Sequence, residues 1–537
     1  MFHLYRSDNA VPKPVKMMLS FRERKCFPHL TSILATAAVL QALISGVVCA
    51  DDASNVTTVE SAVTNVTTTT TVAPIVDTYK LCENCNCNKD TGLFDCSSKI
   101  IGPKTFSQPA WTSLNASGLN AKSVLLVSAG LKEVTAFPPM NVTVLDLSHN
   151  EIATIEIACF KNLTLLEVLD LSHNRLQTKD LIPEIFIGHF SPTVYEPLKR
   201  LRVLRLGANE LHSLNQDLFQ HLPALEEVSL ELNVFKVIDQ QSEIAIASID
   251  RLASLDLSYM ELEEIPKYLF HTPTGLQYLN LTGNLLKTVP PALSYAKGLT
   301  WLSLDENPID SIVLGSEFPS LKKLTFLSLS YMTELRVIGR SAFSGLESLQ
   351  EIHITNNPHL SYLHGHAFVR NDTDNPERFD WPPVKRFYLH NNNISYLDAQ
   401  LLVQWDAMEV IDIRVNPWAC DCSNRWVLLS LLPIIERTTP AILNNIDCNS
   451  PAQMAGLSMV ELSHKNTHMR CADAAGNNPS NDGALLMGLL IGVLLAIPFT
   501  AAVWCVYKRG CFGLFGRGKS AAYSRAFYSR TTLNEEF

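Results

Sequence analysis

The sequence predicts an α/β solenoid. Short parallel strands should line the concave face of a curved horseshoe. Disulfide-bonded caps should close both ends, followed by one transmembrane helix and a short disordered tail. Three observations in the 537 residues carry this reading. The heptapeptide Val144-Leu145-Asp146-Leu147-Ser148-His149-Asn150 returns unchanged as Val168 to Asn174, and self-similarity at a fixed period marks a repeat architecture. Cysteines gather in two sets of four, one before the repeated region and one after it. Residues 484–506 form an apolar run of 23 without a charge, enough to cross about 30 Å of hydrocarbon.

The repeated unit reads L-x-x-L-x-L-x-x-N-x-L, the pattern of a leucine-rich repeat. Its ninth position is held by Asn150, Asn174, Asn209, Asn233, Asn284, Asn307, Asn357, Asn392 and Asn416. Met260, Met332 and Ala129 stand there in weaker copies. Most intervals are 23 to 27 residues, and two, ending at Asn209 and Asn392, are 35 and must carry insertions. About twelve units therefore occupy residues 120–415. Alternation turns Leu145 and Leu147 inward and Asp146 outward. The Asn amide, with donors and an acceptor, can satisfy backbone groups of neighbouring coils. A Phe six residues before the first Leu of many units (Phe160, Phe219, Phe270, Phe318, Phe343) predicts an aromatic spine on the outer side. No unit can bury its apolar edge alone, so stacking supplies the core.

In chain order, residues 1–50 are basic at first and end in an apolar run before Val48-Cys49-Ala50. They read as a signal peptide cleaved after Ala50, with an uncleaved anchor as the alternative. Residues 51–80 are Thr-rich with little apolar weight and read as a glycosylated stalk. Cys82, Cys85, Cys87 and Cys96 define an N-terminal cap at 81–119, and Cys420, Cys422, Cys448 and Cys471 a C-terminal cap at 416–472. Four-cysteine sets also admit zinc on spacing alone, but an oxidising compartment favours disulfides. Eight N-x-[ST] sequons begin at Asn55, Asn65, Asn115, Asn141, Asn162, Asn280, Asn371 and Asn393, all before the apolar run. That distribution suits an extracellular side. A linker at 473–483 leads to the transmembrane helix at 484–506, and Lys508 and Arg509 follow at once. The positive-inside rule places the tail, 507–537, in the cytoplasm. Gly488 and Gly492 allow close helix pairing, hence a homodimer. The final Glu535-Glu536-Phe537 suits a PDZ domain, with Glu535 and Phe537 as the recognised positions.

From about Leu81 to Cys471 the chain resembles extracellular leucine-rich-repeat proteins with cysteine-rich caps. The resemblance implies pairing of first with third and second with fourth cysteine: Cys82–Cys87, Cys85–Cys96, Cys420–Cys448 and Cys422–Cys471. The whole plan resembles single-pass cell-surface adhesion proteins of the tartan, capricious and connectin kind, and the ectodomain also resembles that of Toll-like receptors. This implies a plasma-membrane protein whose ectodomain binds an extracellular protein ligand or a partner cell-surface protein, in cell adhesion and recognition. A receptor or co-receptor for a soluble ligand, signalling through recruited cytoplasmic partners, is the alternative.

Composition narrows the rest. Net charge is −10, and each terminal segment (1–50 and 507–537) carries +4, leaving the middle at −18. That argues against nucleic acid. Gly513 to Ser520 matches the phosphate-loop string, but seventeen residues beyond it cannot build the strand and helix that loop requires. No cofactor, metal or catalysis is expected. Repeat register puts Tyr259, Tyr278, Trp301, Phe326 and Tyr331 on the concave side as candidate ligand-binding residues. Tyr278, Trp301 and Phe326 should form one column, since neighbouring strands lie about 4.8 Å apart.

Overall fold

The computed structural model describes residues 80–191, 194–371, 379–471 and 482–508. The signal peptide, nearly all of the stalk, Asn55, Asn65, Glu535 and Phe537 lie outside these. The repeats form one fourteen-stranded sheet. It begins with the antiparallel pair Asn86–Asn88 and Leu93–Asp95, and runs parallel from there to Val410–Asp412. Twelve of its strands belong to the repeats, each three residues long. Equivalent residues face one another without stagger: Leu145 pairs with Leu169, Tyr278 with Trp301, Trp301 with Phe326. The middle residue of each repeat strand is buried in a single continuous core.

The Asn ladder holds consecutive coils together. Asn174 donates from Nδ2 to the carbonyls of Leu147, Leu171 and Ser172 at 3.0–3.1 Å, and its Oδ1 accepts from the Ile152 amide at 3.0 Å. Asn284 repeats this with Leu257 and Leu281 as acceptors and the Met260 and Leu262 amides as donors. Met260 itself offers no such acceptor to the preceding coil. There the Phe235 amide turns back to the Asn233 carbonyl instead, at 3.0 Å.

Just before each ladder position the backbone takes positive φ in all twelve units. His149 (56°), His173 (53°), Tyr259 (54°), Glu306 (56°) and Tyr331 (58°) are examples, and only Gly283 among the twelve is glycine. A left-handed non-glycine residue costs about 1 kcal/mol or more. The ladder bonds on either side offset that cost and fix a sharp corner whose side chain projects outward.

The aromatic spine is interrupted. Trp111, Phe137, Phe160 and Phe186 form one run with ring centroids 5.5–6.2 Å apart. Phe318, Phe343 and Phe368 begin a second, at 5.8 and 4.8 Å, continued by Phe387, Trp405 and Trp426. Between them Phe219 and Phe270 are buried but alternate with Ile246 and Leu293, which hold the same position in the intervening units. Ile246 separates Phe219 from Phe270, and Leu293 separates Phe270 from Phe318. One unit here replaces the usual turn with a helix, Gln240–Ala247, capped by the Asp239 carboxylate on the Ser242 amide.

The two long units carry hairpins, His189–Ser191 with Val194–Glu196 and Arg370–Asn371 with Phe379–Asp380. Disulfides join Cys82 to Cys87, Cys85 to Cys96, Cys420 to Cys448 and Cys422 to Cys471. Trp111, wholly buried against Phe94 and Phe106, closes one end of the core. Trp418 is equally buried at the other, its indole N–H donating to the Ile413 carbonyl at 3.1 Å. Cys159 is a buried free thiol, raised far above its ordinary pKa by burial and by Glu156. A separate helix, Asp482–Lys508, is long and apolar enough over Leu486–Lys508 to cross a membrane. Pro498 lies inside it, and Thr500 donates to the Ala496 carbonyl at 2.8 Å.

Candidate functional site

Each strand presents its first and third residues on the concave face, flanked by the outward corner. On the first-residue row Tyr278, Trp301 and Phe326 stack nearly parallel. Centroids lie 4.1 and 5.1 Å apart, with planes tilted 13° and 3°. All three are half-buried by one another, so the row offers ring edges more than faces. Tyr259 and Tyr331 are not in this row. Both occupy left-handed corners and are exposed. The Tyr259 ring lies across Gly283, where any Cβ would collide with it, and its hydroxyl donates to Glu306 Oε1 at 3.0 Å. Burial and then Glu306 push the Tyr259 hydroxyl up to about 12.

Beyond Phe326 the aromatic band changes rows. His353 and Tyr388, third residues of their strands, continue it at 5.2 and 4.3 Å. The first-residue row there becomes charged: Glu351 accepts from Arg386 Nε and His353 Nε2, both at 2.7 Å. Burial alone would raise the Glu351 carboxyl, but those two hydrogen bonds hold it below its ordinary value. Two units on from Glu351, a tighter cluster forms around the third residue of a strand. Arg414 grips Asp412 with Nε and Nη2 at 2.9 and 2.6 Å, and His390 Nδ1 lies 3.1 Å from the same carboxylate. Against burial, these partners hold Asp412 well below the usual carboxylate range. A search for concave aromatics at one repeat position misses His353 and Tyr388. Reading both strand positions together would have found them.

The middle units are acidic. Arg205 bridges Asp170 and Glu227 at 3.5 and 3.0 Å. Among the described residues no cation pairs with Glu231, Asp256, Asp305 or Glu306. Glu231 lies against Gly207 with one carboxylate oxygen shielded from solvent and lacking a hydrogen-bond donor, and burial raises its pKa. Asp256 accepts from the Ser258 amide and hydroxyl and from Asn280 Nδ2 at 2.9 Å.

Asn280, a sequon position, is thus half-buried in the face beside Tyr278. Asn141 is exposed and donates to Asn120 Oδ1 at 3.1 Å; Asn162 donates to the Phe137 carbonyl at 2.8 Å; Asn393 is exposed. Asn115 stands on the cap helix Gln108–Ala116, and Asn371 in the second hairpin. Gly488 and Gly492 have open space around them on the apolar helix. Among the described residues no group of three His, Cys, Asp or Glu is arranged to hold a metal ion.

Comparison with known proteins agrees with this architecture. The Leucine rich repeat family matches residues 140–184, 199–249 and 250–309, and the BspA type Leucine rich repeat region (6 copies) matches 316–382. Tsukushi of Rattus norvegicus is 32% identical over 290 residues, covering 52% of this chain and 78% of that protein. Tsukushi of Gallus gallus is 28% identical over 346 residues, covering 64% and 81%. The CD180 antigen of Mus musculus is 32% identical over 186 residues, 34% of this chain but 26% of that protein. The chain belongs to the family of leucine-rich-repeat proteins that includes Tsukushi.

Proposed function

We propose that this is a single-pass cell-surface protein that binds a protein partner through the concave face of its repeats, in cell adhesion or recognition. The observation that carries the reading is the stacked row Tyr278–Trp301–Phe326, set in the middle units of the concave face. Aromatic rings held rigid by their neighbours lose little side-chain entropy on contact and commonly dominate interfaces. The sequons before the apolar helix and the basic residues after it support an extracellular ectodomain, a cytoplasmic tail and the domain boundaries drawn above. Helix pairing through Gly488 and Gly492 and capture of the C-terminus by a PDZ domain complete the proposal.

The test is Trp301→Ala in the full chain displayed on cells. Truncating a central interface aromatic costs about 2 kcal/mol or more, roughly thirtyfold in affinity. Binding of displaying cells to partner cells should fall accordingly, with surface delivery unchanged. Wild-type binding by the variant would refute the concave site. Capture of a secreted factor without any binding between cells would refute adhesion and favour a receptor.

A further inference from the structure

The aromatic row is open at one end. Stacking covers the inner face of Tyr278 with Trp301. Its outer face looks across the neighbouring strand, where the register partner is only Ser254, and the strand beyond carries Glu227 at the same position. With strands about 4.8 Å apart, roughly 9.6 Å separates the backbones of Tyr278 and Glu227, with one hydroxymethyl group between them. This is a slot open to the concave side. An aromatic face forms one wall, a carboxylate the other, and Asp256 borders it on the strand of Ser254.

The slot is electrostatically unfinished. Among the described residues Asp256 pairs with no cation. Burial, then Asp256 and Glu227, raise the pKa of Tyr278, which places both carboxylates within electrostatic reach of its ring. On the opposite side of Glu227 the chain supplies a guanidinium of its own: Arg205 bridges Glu227 and Asp170 across neighbouring strands. Among the described residues no such group stands over Ser254.

We infer that this slot receives an arginine side chain from a basic segment of the protein partner. The guanidinium stacks on the open face of Tyr278 and donates to Glu227 and Asp256. This rests on the concave-face reading above and specifies its partner. Arginine fits better than lysine because its planar fork can stack flat and donate sideways at once, whereas an ammonium is a compact, strongly hydrated point charge.

The experiment uses the full chain in lipid nanodiscs with fluorescent octa-arginine and octa-lysine peptides of equal charge, read by anisotropy at physiological salt. Octa-arginine should bind about tenfold more tightly, the contribution of one well-placed stacked cation. Ser254→Tyr, which fills the slot, and Tyr278→Leu, which removes its wall, should each abolish that preference while octa-lysine binding stays unchanged. Absence of octa-arginine binding, equal affinity for the two peptides, or a preference that survives both substitutions overturns the slot. Trp301→Ala on cells keeps the two readings apart. If it loses the partner while Ser254→Tyr leaves the arginine preference intact, the slot falls and the concave site stands; if Trp301→Ala binds the partner like the wild type, the concave reading falls and the slot's assignment to that partner falls with it.

Discussion

Replacing Asn284 by alanine should open the middle of the solenoid locally. The side chain is almost wholly buried and makes four short bonds. The Met260 and Leu262 amides donate to Oδ1 at 3.1 and 3.0 Å, and Nδ2 donates to the Leu257 and Leu281 carbonyls at 2.8 and 3.0 Å. The Leu281 carbonyl keeps a second donor, Asn307 Nδ2 at 2.9 Å. The chief loss is therefore the two amides, each costing about 1–3 kcal/mol when buried and unpaired. Partial collapse and water entry reduce the sum to about 3 kcal/mol, on the order of a hundredfold in an opening equilibrium. Hydrogen–deuterium exchange resolves this: peptides containing Met260 and Leu262 should exchange roughly a hundredfold faster, with those of the first three repeats unchanged, because solenoid coupling is nearest-neighbour. Asn391→Ala, at an exposed corner, is the control. Equal protection in Asn284→Ala and Asn391→Ala would refute the claim that the ladder holds the coils.

Three further outcomes are expected. Cys422→Ser removes a bridge closing 49 residues of the cap and should cost about 2–5 kcal/mol, read as retention in the secretory pathway; normal delivery with unchanged exchange around Trp418 would contradict it. Phe318→Ala deletes a buried ring of the second aromatic run and should destabilise by about 3–5 kcal/mol, far more than Trp301→Ala on the half-buried row; similar exchange in the two variants would contradict the assignment of inner and outer faces. Glu231 titrates above its ordinary range, so its protonated form stabilises the fold. That contribution is present below the unfolded pKa, about 4.3, and is lost as pH rises through the folded value. Glu231→Gln should therefore protect the fifth repeat at neutral pH and leave it unchanged at about pH 4, and the opposite pH dependence would contradict the burial argument.

The strands and the ladder were legible because each rests on one residue type at one spacing: Leu145 and Leu147 face inward, and Asn150 or Asn174 closes the coil. Features that depend on neighbouring units were harder to read. Phe219 and Phe270 match the spine pattern individually, yet Ile246 and Leu293 between them break the ring contacts. Tyr259 lies in the expected repeat but at a corner, because the backbone there turns left-handed with no glycine to announce it. The move of the aromatic band from Phe326 to His353 shows only when both strand positions are read together, and the first position there, Glu351, accepts from Arg386, 35 residues away. Single-unit periodicity carries no information on such pairs.

The Cys422–Cys471 bridge also sets how the chain bears load. If the chain is pulled from the side of its apolar helix, tension arriving at Cys471 crosses directly to Cys422. The 48 residues between them, with the helices Leu432–Thr438 and Met459–His464, lie outside the line of force. Force then enters the solenoid at Asp421 and Cys420, beside the buried Trp418 and the last ladder residue, Asn416. From there it runs into coils joined sideways by many parallel hydrogen bonds. The cap thus acts as a covalent bypass: its helices keep their seal over the core while the repeats beneath carry the strain.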